Sequence, residues 1–153
     1  MDNQFHLTIF DLPAEKKPTL EWAGSEEASI LILLTHHAEA VLDEFLAKIF
    51  VALDIRVDQD AFRLYGMEDP VVHFQQLDSG HRFRHVVSFG VPFEALGLRF
   101  RYQPWHPVAL GGRTFLYAAP LADIHRQRIQ GGKEKALLLW NALRQMFPNP
   151  EKN

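Results

Sequence analysis

The sequence predicts an α/β domain with a mainly parallel central sheet and helices on both faces, a three-layer α/β/α arrangement. Three observations predict it. Ser29-Ile30-Leu31-Ile32-Leu33-Leu34 is a nearly unbroken apolar run of strand length, as in a strand covered on both faces. Beyond it Leu42, Phe45, Leu46, Ile49, Phe50 and Leu53 recur at 3–4 spacing, with Asp43, Glu44 and Lys48 between them, the pattern of an amphipathic helix. Strand-like and helix-like segments then alternate, which implies parallel strands joined by right-handed crossovers.

Residues 1–28 read as an extension with two prolines, two charged clusters and spaced apolar residues from Phe5 to Trp22. Two roles stay open for it: packing back onto the domain, or binding a partner as a peptide. The domain proper spans 29–148, with a tail at 149–153. Thr35 is placed to cap the first helix, expected over 38–53. A second strand is expected around 61–65. Residues 71–77 are a helix or a loop, after a Glu-Asp-Pro that suits a helix start. His85-Val86-Val87-Ser88-Phe89 is a strand ended by Gly90, and 92–96 a single helical turn. Residues 98–102 alternate like a strand or half a hairpin. Residues 103–112, rich in Pro and Gly, read as loop. A last strand is expected at 114–119, then a helix from Pro120 that breaks at Gly131-Gly132. A final helix at 133–147 has Ala136, Leu137, Trp140, Leu143 and Phe147 as its apolar face, with Trp140 in the core.

Apolar residues are 47% of the 153 and charged residues 23%, the composition of one globular domain that needs no staples. With no cysteine, disulfides, thiolate metal sites and cysteine nucleophiles are excluded. No apolar run reaches membrane-span length, and residues 1–17 do not read as a secretory signal. The expected setting is the cytoplasm, with no membrane partner. No glycine-rich phosphate loop, zinc-protease motif or nucleophile elbow is present, and no cofactor is expected.

Charge is divided along the chain. Residues 1–80 hold five Lys/Arg against fifteen Asp/Glu, a net of −10, whereas residues 81–147 hold ten against three, a net of +7. The basic half includes Arg82, Arg84, Arg99, Arg101, Arg126 and Arg128. Both i, i+2 pairs would share a face on a strand and attract phosphates; ordinary solvated charge is the plainer reading. Trp105-His106-Pro107, between basic segments, is a base-stacking surface, a protein hot spot or a core plug. His81 and His85 would share a helix face and bind a metal, but their segment reads as strand, where they lie about 13 Å apart. No metal site is assigned.

In an open α/β sheet, ligands bind beyond the strands' carboxyl ends. The loops there begin at Thr35-His36-His37, Gly90-Val91-Pro92 and Ala119-Pro120-Leu121. The pocket candidates are Thr35, His36, Gly90, Tyr117 and Pro120.

Three segments, in this order and spacing, resemble the uracil-DNA glycosylase-like superfamily, and within it the degenerate psi-subunit type of bacterial DNA polymerase III. They are Ile30 to Asp60; Ser88-Phe89-Gly90 followed by Leu96-Gly97-Leu98; and Ala119-Pro120-Leu121-Ala122-Asp123 followed by Ala136-Leu137-Leu138-Leu139-Trp140. The resemblance spans most of 29–148. Active members flip a base from DNA and cleave its glycosidic bond. The resemblance implies an acid or Asn after the first strand to handle water, and a His after the last to stabilise the departing base anion. This sequence departs at both: Thr35-His36-His37 follow the first strand, and Tyr117 stands where the His would be. His106-Pro107-Val108-Ala109-Leu110 is the other candidate, but Gly-Gly and a strand follow it where the family has a helix. The resemblance therefore implies the fold and a non-catalytic adaptor, with catalytic residues none and clamp-loader components as partners. Nucleic acid is a second expected partner. The alternative is a divergent nucleobase- or nucleotide-acting hydrolase working in the same strand-end pocket.

Overall fold

A computed structural model describes residues 5–8, 19–67, 73–78 and 82–148. Its strands are β1 (Phe5–Thr8), β2 (Thr19–Gly24), β3 (Ile30–Leu34), β4 (Ala61–Tyr65), β5 (His85–Phe89), β6 (Val108–Leu110) and β7 (Arg113–Ala118). Its helices are α1 (Ala40–Val51), α2 (Val57–Asp60), α3 (Phe74–Leu77), α4 (Leu121–Ile129) and α5 (Glu134–Met146), with a 3-10 turn at Phe93–Leu96.

The strands form one seven-stranded sheet in the order β1-β2-β4-β3-β5-β7-β6. β4, β3, β5 and β7 run parallel. The β1–β2, β2–β4 and β6–β7 pairs are antiparallel. The sheet is therefore mixed: a parallel centre with antiparallel strands on both flanks. The sequence pattern hid these flanks. β1 and β2 lie in the charged, proline-bearing first 28 residues and add to the sheet beside β4. β6 lies inside the stretch read as loop, because Gly111-Gly112 closes a tight hairpin between β6 and β7. Residues 98–102, expected as strand, are irregular.

All five residues of β3 are buried. Ile30, Ile32 and Leu34 enter a core shared with Leu42, Leu46 and Phe50 of α1, Ile124 of α4 and Leu139 and Leu143 of α5. Leu31 and Leu33 enter a second core on the opposite face, with Phe62, Phe74, Val86, Phe93 and Phe115. Burying each such side chain stabilises the fold by about 1.5–3 kcal/mol. The three longer helices all cover the first face. The second is covered by α3, the 3-10 turn and an aromatic loop, where helices were expected on both sides.

The final helix is rotated from the expected phase. Leu139, Ala142, Leu143 and Met146 are its buried positions. Leu137 is 55% exposed, and Trp140 is half-buried. Three consecutive leucines, Leu137 to Leu139, leave the phase ambiguous in the sequence. Residues 71 and 72, His81 and the 149–153 tail lie outside the described residues, as do 1–4 and 9–18 of the extension.

Candidate functional site: the carboxyl edge of the parallel strands

Along the parallel core the chain steps from β3 outward to β4 on one side and to β5 and β7 on the other. The direction reverses between β3 and β5, where an open α/β sheet offers a ligand crevice. Here the loops after the strands approach one another closely at Gly90. Gly90, which follows β5, has φ +93°, a conformation that favours glycine. A Cβ at this position would lie 2.8 Å from Pro120 Cγ and 3.2 Å from Thr35 Cγ2. Thr35 and Pro120 thus both lie beside Gly90, and all three are partly exposed. Thr35 is not the cap of α1. That position falls to Glu39, whose side chain makes no capping hydrogen bond.

His36 turns toward β4. Its ring meets the Tyr65 ring edge-on, with centroids 5.8 Å apart. Both its ring nitrogens are buried without a hydrogen-bond partner. Burial holds its pKa below the usual histidine value, against the opposing pull of Asp43 and Glu39, so the ring is neutral at pH 7. The Tyr65 hydroxyl donates to Asp43 Oδ1 at 3.0 Å, and burial pushes its pKa far up. Asp43 therefore accepts from a hydroxyl that does not ionise, while Glu21 Oε1 accepts the Ala38 N–H at 3.3 Å. The loop is pinned by Gly66 N–H donating to His36 O at 2.8 Å and Met67 N–H to Leu34 O at 2.9 Å. His37 is exposed and lies 3.7 Å from Glu21.

Tyr117 is not part of this cluster. Alternation along β7 sends Leu116 and Ala118 to the helix face and Tyr117 to the other, among Tyr102 (5.4 Å between centroids) and Phe93 (6.2 Å). Tyr117 thus stands in an aromatic wall. There the Tyr102 hydroxyl donates to the Glu94 carboxylate and accepts from Phe93 N–H at 3.2 Å. Burial and that bond push Tyr102 up to about 12. The same bond holds Glu94 below the usual carboxylate value. An open groove of about 780 Å³ runs beside this wall, lined by Phe100, Arg101, Tyr102, Gln103 and His106 among others. His106 Nδ1 lies 2.9 Å from Pro104 O and donates to it, which leaves Nε2 as the open acceptor. Trp105 does not line the groove. It has φ +69°, its N–H donates to Tyr117 O, and its side chain packs on the helix-face core.

The arginines do not form one face. Arg82 and Arg84 precede β5 instead of lying on it. Arg82 bonds the Glu26 carbonyl and lies over the Phe83 ring, 4.2 Å from its centroid. Arg84 is exposed. Arg99 and Arg101 are exposed on the irregular 98–102 stretch, so their i, i+2 spacing has no strand to align it. Arg126 pairs with Asp123 at 3.1 Å, and Arg128 sits on α4 facing the helix side. Nothing in the local sequence marks Asp78 as buried, yet it is 5% exposed. It receives the Phe83 N–H at 3.1 Å and Arg113 Nε at 2.8 Å, joining the start of β5 to β7. Among the described residues no three His, Asp or Glu side chains converge on a metal position. The His85 ring instead lies 4.5 Å from Phe147. Nor is any described helix long and apolar enough to cross a membrane.

No protein-family model matches the chain, and no curated protein matches it significantly.

Proposed function

We propose that this chain is a non-catalytic binding protein: a degenerate uracil-DNA glycosylase-like domain of the psi type that joins protein components of the replication machinery. One observation carries the reading. At the β3–β5 reversal Thr35 and Pro120 crowd Gly90 and the candidate polar side chains diverge, His36 toward Tyr65 and Tyr117 to the opposite face, where an enzyme would need polar groups that converge. The chemistry implied by the resemblance lacks its parts as well. Asp43 is engaged by Tyr65, and Tyr117 stands in place of the histidine and faces the other side of the sheet. The fold assignment draws support from the strand ends Leu34, Phe89 and Ala118, within or next to the resembling segments, which lie in one row of the parallel sheet. The mainly parallel, three-layer form belongs to this proposal too; the flanking strands and the short second-face helices are this chain's departures from it.

The test uses the full chain against purified clamp-loader components of the source organism, by calorimetry, with single-turnover uracil excision run in parallel. Binding in the micromolar range or tighter, with no excision, is the expected pair of results. Released uracil, or no binding to any component, overturns the reading.

A further inference from the structure

The helix face carries a second groove, distant in character from the aromatic one. α1, α4 and α5 come together there around about 470 Å³, with Phe45 and Ile49 from α1, Ile129 from α4 and Trp140 from α5. Ile129 is 71% exposed, a large aliphatic side chain left uncovered in the last turn before Gly131-Gly132. The rim is cationic: Lys48 and Arg128 line the groove beside His125, and no carboxylate does. Arg144 stands over the Trp140 ring, 6.0 Å from its centroid. The acids nearby face elsewhere or are weakly engaged. Asp123 pairs with Arg126. Glu44 lies 3.8 Å from Lys48 with both side chains about three-quarters exposed, a pair that costs little to exchange.

An apolar floor with a one-signed rim selects its occupant. Of the groove's aromatic lining, Phe45 already packs on His125 with centroids 4.9 Å apart, and the other apolar residues apart from Trp140 are aliphatic, so the groove offers no row of stacking faces for successive bases. A cationic rim repels a basic peptide and pairs with carboxylates, bidentately in the case of arginine. A groove of about 470 Å³ has room for side chains of a short peptide segment. We propose that this groove docks a short acidic segment of a partner protein. One aromatic or aliphatic side chain seats among Phe45, Ile49, Ile129 and Trp140, and flanking Asp or Glu residues meet Lys48 and Arg128. The proposal rests on the binding-protein reading above and names the chemistry of its partner.

The test pans a random twelve-residue peptide display library on the immobilised full chain, with the double variant Lys48→Glu, Arg128→Glu panned in parallel. Both positions are exposed, and equal thermal melts establish that the variant folds. Enriched peptides are then synthesised and titrated by tryptophan fluorescence. Peptides combining several Asp or Glu with Phe, Leu or Trp are expected. Their affinity should fall about tenfold or more in the double variant and with added salt. Ile129→Asp should weaken them comparably. The proposal is overturned by basic or uncharged winners, by equal binding to both proteins, or by no enrichment. It is equally overturned if the double variant loses single-stranded DNA binding or self-association instead. Titrating both proteins with the clamp-loader components separates the two readings. Equal binding by wild type and variant removes the groove and leaves the binding protein; absence of binding by the wild type removes the reading beneath it.

Discussion

Gly90 is the residue at which the strand-end loops approach most tightly. Its positive φ and the 2.8 Å approach of Pro120 Cγ both resist a side chain, so Gly90→Ala should destabilise the fold by about 1–3 kcal/mol, read as a shift in urea midpoint with unchanged slope. At the next strand end, Tyr65→Phe removes the donor to Asp43 and should cost about 0.5–1.5 kcal/mol. His36 and His85 both have pKa values lowered by burial, opposed at His36 by Asp43 and reinforced at His85 by Arg84. Both are neutral when folded and take up protons near the ordinary histidine value when unfolded. The unfolded state therefore binds more protons, and stability present above about pH 6.5 should fall as pH drops below it. Urea midpoints between pH 7.5 and 5.5 check this. The combined variant His36→Gln, His85→Gln should flatten the dependence, and a stability that rises on acidification would contradict it. Thr35, Gly90 and Pro120 were legible as a cluster because loops after parallel strands must meet at one edge. Tyr117 was misplaced although period-2 alternation along β7 assigns its face. Asp78 left no trace, since nothing local distinguishes a buried acid from a turn acid.

Among the elements, those with one clear periodicity were legible. β3 followed from its continuous apolar run, α1 from its 3–4 spacing, and β5 and α4 from their Gly and Pro boundaries. The elements missed were those whose signal is non-local. β2 is held by pairing with β4 rather than by its own pattern, and three-residue β6 exists only as a hairpin arm of β7. The phase of α5 is decided by tertiary packing among three adjacent leucines. That phase is directly testable. Leu139, 1% exposed, should cost about 2–5 kcal/mol on substitution by Ala, whereas Leu137→Ser should stay within about 0.5 kcal/mol of wild type. The reverse order would restore the face expected from the sequence.

At the scale of the whole molecule, the acidic first half and basic second half are interleaved by the fold, because β4, from the acidic half, and β5 and β7, from the basic half, flank β3 in one sheet. The arginines accordingly disperse to the amino end of β5, the irregular 98–102 stretch and α4, and cations stand beside apolar surface in the helix groove and near the aromatic wall. Open grooves lie on both faces, and under the binding-protein proposal these are where partners dock. Hydrogen–deuterium exchange on the full chain, with a uracil-containing single-stranded oligonucleotide and separately with clamp-loader components, tests this most directly. The account predicts that a clamp-loader component slows exchange on the helix face and that the oligonucleotide leaves residues 35–37, 90–92 and 119–121 unchanged. Protection of those three loops by the oligonucleotide would show an open strand-end site and contradict it.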